Sequence, residues 1–203
     1  CTNTASSSRY YTVAAVKHLR GKLSVIGGTL TTDTADNCSA GYVAALYDNR
    51  QSNDETSTIT ISGGTFELKK SKGSQIIGAI IADCSEMPIN LSGDLVITAE
   101  SAPDFAIDPS TPLSFTSKGL NEPEEPYTVA KQGRSSADYP WTFTTGWSQT
   151  GISDTDISKY FIAYGDNYRV TKAVDGELQL SETYTISFNA YPATSPESQK
   201  LLY

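Results

Sequence analysis

One short pattern recurs along this chain and constrains its fold more than any single residue. It reads Leu23-Ser-Val25-Ile-Gly27-Gly28-Thr-Leu30, returns as Ile59-Thr-Ile61-Ser-Gly63-Gly64-Thr-Phe66, and again as Ile89-Asn-Leu91-Ser-Gly93-Asp94-Leu-Val96. Apolar residues alternate before the glycines (Leu23, Val25; Ile59, Ile61; Ile89, Leu91), the mark of a strand with one buried face. After the glycines the phase changes, placing Leu30 and Thr32, Phe66 and Leu68, and Val96 and Thr98 inward. Glycine accepts the bend and the close backbone approach that such a change requires. Each copy therefore reads as two short strands meeting at a glycine corner.

An Ala-centred apolar run alternates with this motif: Val13-Ala-Ala15-Val16, Val43-Ala-Ala45-Leu46, Gly78-Ala79-Ile80-Ile81 and Phe105-Ala106-Ile107. Val25 to Ile61 spans 36 positions, Ile61 to Leu91 spans 30, and Leu91 to Phe115, in the glycine-free fourth copy Leu113-Ser-Phe115, spans 24. The Ala positions are separated by 30, 34 and 27. Spacings of this size belong to stacked repeats, in which one unit cannot bury its own inner face. The expected fold is all-β, a parallel β-helix of about four coils. Val25, Ile61, Leu91 and Phe115 form one inner column and Ala15, Ala45, Ala79 and Ala106 another, with the glycines at 27, 28, 63, 64 and 93 at the corners. The polar stretches 32–40 and 48–57 become loops on one edge. A β-sandwich is the alternative, since short strands at regular spacing also build one.

Three segments are expected. Residues 1–133 form the coils and enter them mid-coil, because the first Ala run precedes any glycine corner. This suggests a piece of a longer protein, covalently continuous with further domains. Residues 134–182 form an aromatic-rich cap, with Tyr139-Pro-Trp141-Thr-Phe143 and Gly146-Trp147, and a short helix opened by a capping box at Ser153-Asp-Thr-Asp156 and running through Ile157, Tyr160 and Phe161. Residues 183–203 begin a following repeat domain.

Composition narrows the chemistry. In 203 residues, 38% are hydrophobic and 19% charged, with a net charge of −8, which speaks against nucleic-acid partners. Lys69-Lys70-Ser-Lys72, the nearest basic cluster, reads as a solvated turn guarding a sheet edge. No apolar run approaches the roughly 18 residues of a membrane span. Three cysteines, Cys1, Cys38 and Cys84, are too few for a disulfide scaffold; Cys38 and Cys84 are either bridged or free. Cys1 is either the lipid-bearing first residue of a lipoprotein, tethered through Thr2 to Ser8, or merely the point where this piece starts.

Ile59-Thr-Ile-Ser-Gly-Gly-Thr-Phe66 resembles the rungs of β-helix regions in surface proteins of Gram-positive and gut bacteria. Gly146-Trp147 with Asp156-Ile-Ser-Lys-Tyr160-Phe161 and Tyr168-Arg-Val170 is similar to a segment that follows such rungs. Tyr184-Thr-Ile-Ser-Phe-Asn189, with Ser195 to Tyr203, resembles the opening of an internalin-type B repeat (Listeria–Bacteroides repeat), although Asn189-Ala-Tyr-Pro192 replaces the usual Asn-Gly-Gly turn. The resemblance implies a secreted or cell-surface multidomain protein and no catalytic residues.

The residues themselves point to no reaction. His18 is the sole histidine, and no Gly-x-Ser-x-Gly elbow exists. Asp33, Asp36, Asp48, Asp54 and Asp83 lie in loops, where a calcium ion is conceivable, but no Asp-x-Asp-x-Asp-Gly run occurs. No cofactor is expected. Tyr42, Tyr47, Trp141 and Trp147 are the binding candidates: exposed aromatic faces stack on sugar rings, whereas the competing role is core or cap packing. The expected function is a noncatalytic surface module, acting as stalk, adhesin or glycan binder, with glycans or host surface proteins as partners. The alternatives are a polysaccharide-active β-helix enzyme (lyase or hydrolase) and a pure spacer.

Overall fold

The computed structural model describes residues 12–34, 41–50, 57–69, 76–83, 87–133 and 138–184. The strands in chain order are β1 (Thr12–His18), β2 (Lys22–Asp33), β3 (Tyr42–Asp48), β4 (Thr58–Lys69), β5 (Ile76–Ile77), β6 (Ile80–Ala82), β7 (Ile89–Ala99) and β8 (Phe105–Ile107). They continue as β9 (Leu113–Leu120), β10 (Tyr127–Lys131), β11 (Trp141–Thr142), β12 (Thr144–Thr145), β13 (Phe161–Ala163), β14 (Tyr168–Lys172) and β15 (Leu178–Glu182). The one α-helix among the described residues is a single turn, α1 (Ile157–Tyr160).

The protein is thus mostly β, and its sheets are open. One sheet has the order β1-β3-β6-β8-β10-β13, with β5 also paired to β3. A second has the order β2-β4-β7-β9-β12, and every pairing within these two sheets is parallel. The chain visits them alternately through most of its length, and each visit lies beside the previous one. A third, antiparallel sheet, β11-β15-β14, is added at the carboxy-terminal side.

The predicted column is present in register: Val25 pairs with Ile61, Ile61 with Leu91, and Leu91 with Phe115. Ile61 and Leu91 are buried, whereas Val25 is only half-buried. The difference follows from position, since β2 is an edge strand and Val25 has a like neighbour on one side only.

Three expectations change. First, the glycine corner does not separate two strands. β2, β4 and β7 run through it as strands of 12, 12 and 11 residues, and the pairing register shifts there. Second, Val96 does not point inward. The shift pairs Gly63 with Asp94 and Phe66 with Ile97, so Leu95 is buried and Val96 is 56% exposed. Gly93 is the extra residue of this bulge: its φ is +73°, and a Cβ there would run into the Ser62 carbonyl oxygen. Third, Ala106 leaves the Ala column and pairs with Ile81, in line with Tyr47. Ala15 is exposed, whereas Ala45 and Ala79 are fully buried and joined by a bond from the Ala45 amide to the Ala79 carbonyl. The Ala15 amide donates instead to the Thr32 hydroxyl (3.0 Å), which donates in turn to the Ala44 carbonyl (2.7 Å). One buried hydroxyl thereby ties the two parallel sheets together.

The capping box also takes another form. Ser153 caps a 3-10 turn (Asp154–Asp156) with no side-chain bond to its backbone; its hydroxyl donates to the Asp156 carboxylate at 3.0 Å. Phe161 belongs to β13, not to the helix. Cys1, Cys38, Cys84, Asp36, Asp54, Lys70, Lys72 and the B-repeat segment beyond Tyr184 lie outside the described residues.

Because Ile61 is fully buried and Thr60 is exposed on the same strand, Ile61→Asp should abolish cooperative thermal unfolding. Thr60→Asp should change stability by no more than about 0.5 kcal/mol. Circular dichroism melts of the two variants check this, and equal damage from both would contradict the assigned inner face.

Candidate functional site

The four predicted binding aromatics serve mainly as packing. Trp147 is 2% exposed and Trp141 5% exposed. Trp147 meets Phe115, Tyr160 and Phe161 edge-on, with ring centroids 5.2, 5.8 and 5.7 Å away. The Trp141 indole N–H donates to the Pro109 carbonyl at 3.1 Å. Tyr47 is buried and its hydroxyl donates to Asp83 Oδ2 at 2.8 Å; burial, reinforced by Asp83, drives its pKa far above the ordinary phenol value. Tyr42 is half-buried and stacks on Tyr47 at 4.7 Å. Tyr47, Trp141 and Trp147 therefore have no open face for a sugar, because the core claims the same apolar area that stacking would use.

Trp147 is held by Glu177, which composition did not single out. The Glu177 carboxylate accepts from the amides of Gly146 (3.1 Å) and Trp147 (3.0 Å) and from the Thr144 hydroxyl (2.9 Å). These amides open a 3-10 turn at Trp147–Gln149 and have no partner within it, so an anion there satisfies them.

Of the aspartates expected in loops, Asp33, Asp48 and Asp83 are described, and the first two end strands β2 and β3 instead of lying in loops. Asp33 is exposed. Asp48 is fully buried and paired with buried Arg50, whose Nε donates to Oδ1 at 2.9 Å and whose Nη2 donates to Oδ2 at 2.8 Å. Arg50 also donates to the carbonyls of Ser57 (3.1 Å) and Met87 (2.7 Å), joining three successive segments. Among the described residues no group of three His, Cys, Asp or Glu side chains is placed to hold a metal. His18 pairs with Asp48 across β1 and β3; its Nδ1 is 3.7 Å from Asp48 Oδ1, and both ring nitrogens are buried without a hydrogen-bond partner. Its place is inside the stack, with no nitrogen open to a substrate in solution.

An open concavity lies where the parallel sheet meets the antiparallel one. A cleft of about 430 Å³ is lined by Val129, Lys131 and Gln132 of β10 and the turn after it, by Tyr139, Tyr164 and Tyr168, and by Leu180 of β15. Val129 and Leu180 are buried and lie behind the cleft, with almost no exposed surface of their own. Tyr164 follows β13, held by its amide on the Val129 carbonyl at 2.9 Å, and is 40% exposed. The Tyr139 and Tyr168 rings pack at 4.9 Å and 30°, and the Lys131 ammonium lies 4.5 Å from the Tyr139 ring centroid. Burial, with Tyr168 next, pushes the Tyr139 pKa up to about 12, so its hydroxyl keeps its proton at neutral pH. A shallower groove of about 670 Å³ runs beside it between α1, β13 and β14, lined by Ile157, Ile162, Arg169 and Lys172.

Sequence reasoning missed this cleft because Tyr139 comes from one segment and Tyr164 and Tyr168 from another, brought together only by the meeting of two sheets. Comparison with protein-family models, curated proteins and solved structures finds no match. Among the described residues, no helix is long and apolar enough to cross a membrane.

Arg50→Met should destabilise the fold by about 3–5 kcal/mol, since it strands the buried Asp48 carboxylate. Adding Asp48→Ala should return part of that loss. Urea denaturation of the single and double variants checks it; a double variant weaker than Arg50→Met alone would show that the pair is not the source of the effect.

Proposed function

We propose that the chain is a noncatalytic scaffold module, a parallel β-helix that serves as stalk or adhesion surface in a secreted or cell-surface bacterial protein. The observation that carries this reading is the alternation of strands between two open, wholly parallel sheets, with Val25, Ile61, Leu91 and Phe115 in one register. A coil that returns to the same wall after each circuit pairs every strand in parallel with its predecessor. A sandwich built from hairpins would instead pair neighbours antiparallel.

The buried Asp48–Arg50 pair and the half-buried Glu177 favour a structural role. Asp48 and Arg50 satisfy each other, and Glu177 holds a backbone turn. Placement at the cell surface rests on the resemblance of residues 59–66 to rungs of bacterial surface proteins. Polar outward positions such as Ser24, Thr58 and Thr60, exposed along the strands, suit a wall that faces water.

Antibodies raised against the 203-residue chain should label intact cells of the source bacterium without permeabilisation. Labelling only after the envelope is opened would overturn the surface assignment and leave the coil architecture untouched.

A further inference from the structure

We propose that β1 and β2 together form a docking surface for one further coil of the same repeat, seated in parallel on their free edges with its corner backbone over Gly27. The proposal rests on the parallel-coil reading of the two sheets and adds where that stack continues.

The corner glycines point to it. In three successive places a glycine is pressed by a carbonyl from the strand one coil earlier. A Cβ on Gly63 would lie 3.1 Å from the Ile26 oxygen, one on Gly93 would run into the Ser62 oxygen, and one on Gly146 into that of Phe115. Glycine stands there because the neighbouring backbone leaves no room for a side chain. β9 has Ser117 at the equivalent place, and there the pairing jumps from Leu91–Phe115 to Gly93–Leu120. Gly27 holds in β2 the place of Gly63 in β4, following Leu23 as Gly63 follows Ile59. Its backbone is not left-handed, and a Cβ on it would meet nothing within 4 Å among the described residues. Gly28 is required by its own φ of +85°. Nothing in the described coils requires glycine at 27, whereas a carbonyl from an earlier coil would.

The free edges suit such a coil. β1 and β2 each end a sheet, and both belong to the first described coil. Leu23, Val25 and Leu30 are half-buried where Ile59, Ile61 and Phe66 are fully buried, and Ile26 is 79% exposed. Val16 is likewise half-buried beside fully buried Leu46, its partner in β3. Edge strands are commonly guarded by charge or proline, and β2 has neither from Leu23 to Thr32.

Register sets the occupant. Gly27 precedes β3 by 15 residues, Gly63 precedes β5 by 13, and Gly93 precedes β8 by 12. A corner covering Gly27 therefore belongs 12–15 residues ahead of Thr12 in the same chain. A second copy joined edge to edge about a two-fold axis would reverse its strand or turn its inner face outward, and neither repeats the way Ile26 sits on Gly63.

The test places residues 12–41, one coil by the Thr12–Tyr42 pairing, a second time directly ahead of Thr12 in the 203-residue chain. The extended chain should melt in one transition about 4 °C or more above the parent. Gly27→Leu in the original β2 should lower that transition by about 4 °C or more, yet move the melting of the 203-residue chain by no more than about 2 °C. A transition no higher than the parent's, or a Gly27→Leu effect equal in both chains, would overturn the proposal. So would a parent chain that dimerises in sedimentation and is made monomeric by Gly27→Leu, which would give the face to a second copy. Such failures leave the surface placement standing, because it is tested on intact cells.

Discussion

The parallel backbone ladder between β2, β4, β7 and β9 is the constraint from which the rest of the structure follows. It pairs like residue with like, so each inner side chain gains its burial from the strand before and the strand after it. Ile59, Ile61, Ile89 and Leu91 are buried because they have neighbours on both sides; Leu23 and Val25, on the edge strand, are not fully covered. The recurrent bulge keeps this ladder running while the strand bends, and Gly93 permits it where any Cβ would meet a backbone carbonyl.

The second sheet is held to the first by polar groups as well as by apolar packing. Thr32 of β2 reaches the backbone of β1 and β3, and Arg50 gathers Asp48 with the carbonyls of Ser57 and Met87. Such links cost desolvation, and their saturated geometry offsets it. They specify which segment lies over which, something that apolar columns of similar residues leave less sharply defined. At the carboxy-terminal side Phe143, Trp147 and Phe161 extend the same core, while β14 and β15 of the antiparallel sheet contribute Tyr168 and Leu180 to the tyrosine cleft.

Strand alternation before the glycines was readable from residue order alone, because a period of two assigns faces without any knowledge of neighbours. Phe115 could be aligned with Leu91 on that basis even without its glycine pair. Beyond the corner the same logic fails: one extra residue at Gly93 moves Val96 to the outside and Leu95 to the inside. The Ala runs mislead in a similar way, since Ala106 is displaced by two positions from the column that Ala45 and Ala79 share. Aromatic residues were visible by type, but whether Trp147 faces water or Phe115 depends on what folds over it. Tyr139, Tyr164 and Tyr168 form a cleft only through contacts between segments that carry no common motif.

The register of the stack is tested most directly by crosslinking paired cysteines, with the three natural cysteines replaced by serine. Glu67 pairs with Thr98, whereas Val96, on the same face of β7, pairs with Thr65. A chain carrying Glu67→Cys with Thr98→Cys should form a disulfide readily under mild oxidation, and one carrying Glu67→Cys with Val96→Cys should not. The reverse preference, or equal crosslinking of both, would contradict the register-locked parallel stack.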